Sequence, residues 1–358
     1  MPSLKEIKGR INSISSTLAI TSAMKMVAAA KLQKAQMAIQ NMLPYERRLH
    51  SMLIDLMGAM NISAAASEDG SVRGSGSAER GFDQSGDRLS LSNRHDLAGM
   101  DGAYSLMAQR EVRKVAIVAF ASNSSLCGAF NSNVIREATA VINEYRASGL
   151  RDSDIVVYSV GRKMAEAMKK LGFPSPADFT KMSDSPSYDA ASALAQELFD
   201  CFVSGRFDKV ELVYNHYKST SSQPTIRQTY LPLSLADATA DIQVGKITDS
   251  ASESDTNRGA EPVGAPVVRQ GSPTTEDLIV EPSKEELIAT LLPKVVRLRV
   301  FTTLLDSTAA EQAARTVAMQ LATDNGNDLL QELTLEYNKG RQQKITSEIL
   351  DLVGGSLQ

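Results

Sequence analysis

Leu4, Ile7, Ile11, Ile14 and Leu18 recur at alternating steps of three and four, the spacing of a coiled-coil seam rather than of a broad core-facing stripe. The phase then slips, and Met24, Val27, Leu32, Ala35, Ile39 and Met42 resume the pattern. Leu49, Met52, Leu53, Leu56 and Met57 carry it past Pro44, where a kink or break is expected. The spacing predicts one helix of about 55 residues, about 80 Å long, well beyond the usual globular helix. The other end of the chain repeats the feature. Ser283 and Glu286 in SKEE form a capping box. Leu287, Leu291, Val295, Leu298, Phe301 and Leu305 then share a face, followed by Leu330, Leu333, Tyr337, Ile345, Ile349 and Leu352. If continuous, this second helix runs about 75 residues and about 110 Å. Pro293 and the Asp324–Gly326 stretch are where it could bend.

Neither helix can bury its seam against a domain much shorter than itself. The economical solution is that the two termini wind around each other as an antiparallel coiled coil. Five segments follow: a coiled-coil helix over 1–62, a Gly/Ser-rich low-complexity insertion over 63–109, an α/β domain over 110–245, a second such insertion over 246–280, and a coiled-coil helix over 281–358. In the middle segment apolar runs alternate with amphipathic stretches. VRKVAIVAF, DIVVYSV, KVELVYNHY and TIRQTYLPL read as strands, with helices near 132–147, 162–171 and 190–203. That alternation predicts a largely parallel sheet with an added hairpin.

Composition excludes several classes. With 42% hydrophobic and 22% charged residues and a net charge of −4, the surface as a whole is not built for nucleic acid. Two cysteines, Cys127 and Cys201, give no disulfide framework. No secretory signal or membrane-spanning run is visible, so membrane association is expected to go through a partner. There is no GxxxxGK[ST], GxSxG or HExxH, and His50, His95 and His216 stand near no other ligand or base in the sequence. SNSSLCGAFNSN after the first strand could cradle an anion, with Cys127 as a nucleophile. The simpler reading is a small-residue turn packing helix against strand, with Cys201 in the core and His216 on a strand surface. A coiled-coil scaffold or nucleic-acid adaptor and a Cys127 enzyme thus stay open on residues alone.

SAMKMVAAAKLQKAQ at 22–36, SLCGAFN at 125–131 and AEQAARTVAMQLATDNGNDLLQELTLEYNKGRQQKIT at 310–346 together resemble the gamma subunit family of F-type ATP synthase. The resemblance implies an antiparallel coiled coil of the termini with a central Rossmann-like α/β domain. It implies a non-catalytic rotor shaft that binds no cofactor and couples ion-driven rotation of a membrane c-ring to ATP synthesis or hydrolysis in a ring of alternating alpha and beta subunits. The epsilon subunit is a further partner, and the expected location is peripheral, on the cytoplasmic face of a bacterial inner membrane. Arg341, Gln342 and Thr346 match positions that engage a beta-subunit loop, with Gly340 admitting close backbone approach. Met24 and Lys25 match the facing site on the N-terminal helix. Glu311 and Arg315, four apart, are expected to pair near the same region. Over 1–48 eight Lys/Arg against two Asp/Glu suit acidic loops on the beta subunits.

Overall fold

A computed structural model of the chain describes residues 3–68, 106, 110–233 and 283–356. The first insertion, apart from 63–68 and 106, and the second insertion lie outside the described residues. Helix α1 spans Leu4–Glu68 and helix α6, the last, spans Lys284–Ser356. Between them come β1 (Val115–Phe120), α2 (Phe130–Ala147), β2 (Ile155–Val160), α3 (Arg162–Lys170), α4 (Thr180–Asp184), α5 (Tyr188–Val203), β3 (Lys209–Asn215) and β4 (Thr225–Leu231).

Both long helices begin on a serine cap. Ser3 Oγ accepts from the Glu6 amide at 3.3 Å and Ser283 Oγ from the Glu286 amide at 3.1 Å, each satisfying an otherwise orphaned donor. α1 runs through Pro44 without a break and continues over SAAASE to Glu68. Beside Pro44 the helix is held to its partner, Thr302 Oγ1 donating to Glu46 Oε1 at 3.0 Å, and the small alanines beyond position 62 are strong helix formers.

The phase slip expected near residue 21 does not occur. Thr21, Lys25, Ala28 and Glu46 fill the heptad between the apolar positions, so one unbroken three-four repeat runs from Leu4 to Leu56, every member buried or half-buried. The slip was suggested by Val27, which is 57% exposed, whereas Ala28 beside it is 1% exposed. An unbroken seven-residue repeat imposes a left-handed supercoil.

α6 pairs with α1 in antiparallel register. Leu4 lies against Gly340 and Leu18 against Gly326, while Thr323 Oγ1 donates to Thr21 Oγ1 at 3.1 Å. Gly326 is there for proximity: a Cβ would come 2.6 Å from Leu18 Cδ2. The helix therefore passes through Asp324–Gly326 without ending. In the same register α1 begins opposite Gly340, so among the described residues 341–356 extend beyond the paired stretch of the two helices. Ile345 and Ile349, expected on the seam, are 47% and 54% exposed, and Leu352 is 74% exposed. At 1.5 Å per residue this solitary tip projects about 24 Å.

At the opposite end the α/β domain packs onto both helices. Its sheet order is β2-β1-β3-β4, with β1 parallel to both neighbours and β4 antiparallel to β3. β1 is buried throughout, as a central strand covered on both faces must be. One face meets α2 and α3 through Val134, Ile142, Met164 and Met168. The other meets α5, Leu49 and Leu53 of α1, and Leu292, Val296, Val300 and Leu304 of α6. Glu211 on β3 is buried, and it accepts from Arg227 Nε at 2.7 Å, Lys209 Nζ at 2.7 Å and Tyr145 Oη at 2.6 Å. This cluster fastens edge strand β4 to β3 and α2. At the end of β2, Gly161 has φ +95°, and a Cβ would lie 2.0 Å from the Ala121 carbonyl oxygen. Only glycine fits that turn.

Candidate functional site

The seven residues singled out in the sequence form two groups. Arg341, Gln342 and Thr346 lie on the solitary tip, all exposed. They stand on consecutive turns of one helix, with Thr346 Oγ1 donating to the Gln342 carbonyl at 2.9 Å. They thus present exposed guanidinium and amide donors next to the exposed apolar residues Ile345, Ile349, Leu350 and Leu352. Gly340 is turned inward: its close approach is to Leu4, whose Cδ2 would be 3.2 Å from a Cβ.

Met24, Lys25, Glu311 and Arg315 occur far down the shaft. The register sets Lys25 near Met319, about 33 Å along α6 from Arg341. The two groups therefore do not meet, and Met24 and Lys25 do not face Arg341. Glu311 and Arg315 do pair, Arg315 Nη2 to Glu311 Oε1 at 2.7 Å. They are 6% and 8% exposed, and the same Arg315 nitrogen donates to Ser124 Oγ at 2.7 Å. The pair thus braces the loop after β1 in its own chain. Burial pushes the Glu311 carboxyl up from its ordinary range; Arg315 opposes this, Asp184 adds to it and Lys31 opposes it.

The loop after β1 is built for packing. Cys127 is 1% exposed, with Asn131 Nδ2 at 3.1 Å from its Sγ and Ser122 Oγ at 3.7 Å. Neither is a base, so this arrangement does not activate a nucleophile. Cys201 is buried in the α5 core, as expected.

Three polar contacts were missed in the sequence. His216 is not a free strand-surface residue: its Nδ1 lies 2.6 Å from Asp306 Oδ2 on α6. The carboxylate holds the imidazole above its ordinary pKa, against a smaller opposing effect of burial and of Lys218. Asp306 Oδ1 also accepts from the Tyr217 amide at 2.8 Å, and Gln36 Nε2 of α1 donates to Tyr217 Oη at 2.6 Å. The available signal was Asp306 itself, a lone carboxylate after the apolar and hydroxyl run VFTTLL.

Among the described residues no helix is long and apolar enough to cross a membrane. A profile of the family described as ATP synthase matches residues 3–357. The ATP synthase gamma chain of Phocaeicola vulgatus is 46% identical over 357 residues and that of Bacteroides thetaiotaomicron 45% identical over 358, each match covering 100% of both chains. The fold is similar to a chain in the rotor of the Euglena gracilis mitochondrial ATP synthase, with a TM-score of 0.50 and 18% identity over 96% of this chain and 98% of that one. A seven-residue repeat at both termini, one antiparallel register and a full-length match at this identity lead to one conclusion: the chain belongs to the ATP synthase gamma-chain family.

Proposed function

We propose that this chain is the central-stalk rotor of an F-type ATP synthase. In this reading the coiled coil stands inside a ring of alternating alpha and beta subunits. The α/β domain, with the epsilon subunit, rests on the membrane c-ring at the cytoplasmic face of a bacterial inner membrane. The observation that carries the reading is the geometry of α6. It outlasts α1 at the end remote from the α/β domain and leaves, among the described residues, a single helix on which Ile345, Ile349, Leu350 and Leu352 are exposed. Such a face in water needs a covering surface, and the inside of a ring supplies one on all sides.

The shaft acts by differential contact. A ring site changes state only if the shaft meets its alternative states with different free energies. An antiparallel pair that ends in one helix has no rotational symmetry, so each turn presents different side chains to each site. Arg341 and Gln342 supply the donors for a beta-subunit loop at the tip, each contact to a charged group being worth about 1.5–3 kcal/mol. Lys5, Lys8, Arg10, Lys31 and Lys34, all exposed on α1, complement acidic loops lower down. Met24 and Lys25, half-buried on α1, and the Glu311–Arg315 brace form the lower coupling region. No reaction occurs on this chain; it transmits torque between ion flow and nucleotide chemistry in its partners.

Affinity purification of the tagged chain from membranes tests the reading. Alpha, beta and epsilon subunits are expected in a stoichiometric complex. A chain recovered only as a free monomer would contradict it.

A further inference from the structure

Doubly wound sheets bind ligands beyond the carboxyl ends of their parallel strands, where neighbouring strands send their connections apart. In the order β2-β1-β3-β4 that place lies between β1 and β3. Here it is filled by the chain's own shaft. α6 crosses it with Asp306 at one end and Arg315 at the other, about 14 Å apart along the helix. Asp306 binds the end of β3 through His216 Nδ1 at 2.6 Å and the Tyr217 amide at 2.8 Å. Arg315 binds the loop after β1 through Ser124 Oγ at 2.7 Å. Between them Ala310 packs on Cys127 and Phe130. Tyr217 also reaches the other helix of the shaft, accepting from Gln36 Nε2 at 2.6 Å, and its ring packs against the coiled-coil cluster of Leu32, Ala35, Ala309 and Ala313.

We infer that this filled crevice is the torsional joint between the α/β domain and the coiled coil, with Asp306 and Tyr217 as the positioning residues that fix the angle between the two bodies. The inference rests on the rotor reading. Elsewhere domain and shaft meet mainly through Leu, Val and Phe side chains of α5 and α6, with two further hydrogen bonds nearer the start of α6, Arg297 Nη2 to Gln196 Oε1 at 2.6 Å and Tyr230 Oη to the Val296 carbonyl at 3.0 Å. Apolar burial is non-directional and resists separation more than sliding. Hydrogen bonds weaken steeply with angle, so the polar contacts at Asp306 and Tyr217 oppose twisting where the apolar surface does not. A half-buried carboxylate is also a poor choice for stability alone, since apolar residues of similar volume often serve as well. Its use here fits a demand for a defined angle.

The test uses the assembled complex, with the ring held in one state by a non-hydrolysable nucleotide and a probe on the α/β domain to record angular fluctuation. Tyr217→Phe removes one hydroxyl and is expected to broaden the fluctuation. Asp306→Ala is expected to raise its variance about two-fold or more, as loss of a charge-assisted bond implies, and Asp306→Asn to fall between Asp306→Ala and the unsubstituted chain. ATP hydrolysis without load should be unchanged in all three, because both side chains are engaged within the chain, Asp306 by His216 and Tyr217 by Gln36. If Asp306→Ala fails to assemble, Tyr217→Phe decides: a broader fluctuation supports the joint and an unchanged one overturns it. Unchanged variance in every assembled variant, in a complex whose unsubstituted form rotates on ATP, would remove the joint and leave the rotor reading intact. An unsubstituted complex that does not rotate would remove both.

Discussion

Gly326→Ala sets two effects of similar size against each other. Alanine favours a helix interior over glycine by about 1 kcal/mol. Against this, the new methyl would lie 2.6 Å from Leu18 Cδ2 and 3.1 Å from Leu18 Cγ, and overpacking of this kind costs about 1–3 kcal/mol. Two atoms of one half-buried side chain are involved, so a rotamer change at a single methyl does not relieve the clash. Overpacking wins, with a net loss of about 1 kcal/mol in this stretch of the coiled coil. Leu18→Ala empties the space, and in that background Gly326→Ala should recover its full propensity gain of about 1 kcal/mol. The coupling between the two sites is therefore about 2 kcal/mol. Gly340 provides the internal control: there the only contact tighter than ordinary is 3.2 Å to Leu4 Cδ2, at the flexible end of the side chain, so Gly340→Ala should be neutral or stabilising. Amide hydrogen exchange over residues 319–333 reports the local opening free energy for all four members of the cycle. Equal stabilisation by Gly326→Ala in both backgrounds would refute the close approach and with it the register.

Replacing Arg341 and Gln342 together by alanine should leave folding and assembly intact while lowering ATP synthesis or hydrolysis several-fold, measured on the purified complex, since both residues are exposed on the tip. Ile345→Ala and Ile349→Ala should change the thermal stability of the isolated chain by less than about 0.5 kcal/mol each, because neither is packed; a loss of several kcal/mol would mean that the tip is folded against something. Arg227→Ala strips a buried carboxylate, Glu211, of one of its two cations and should cost about 3 kcal/mol in denaturant unfolding. The His216–Asp306 pair raises the folded pKa of His216, so its stabilisation is fully present below the unfolded value near 6.5 and fades as pH rises through the folded pKa. His216→Asn should flatten that part of the melting-temperature profile, and a profile unaltered by the substitution would show that the pair contributes nothing.

Most of the architecture was legible because it rests on periodicity. Alternating strands and helices of 110–233 follow from apolar runs such as VAIVAF and IVVYSV, and the long terminal helices from their three-four spacing. What escaped depends on the pairing of distant segments. The heptad looks broken at Thr21, Lys25 and Ala28 until α6 is set beside it, because a seam position is recognised by what it faces and not by being apolar. Ile345 and Ile349 carry a good seam pattern, yet register ends the seam at Gly340, and register is not a property of either helix alone. His216 and Asp306 lie ninety positions apart, beyond any local signal. Among the candidate residues, the spacing of Glu311 and Arg315 disclosed their ion pair but not that it turns inward to Ser124.

This chain is expected to turn within a ring that hydrolyses ATP. With the ring anchored to a surface and a probe on the α/β domain, ATP should drive unidirectional rotation in steps set by the symmetry of the ring, and the rotation should stop when nucleotide is withdrawn. An assembled ring that hydrolyses ATP while the α/β domain stays at a fixed angle would contradict the account.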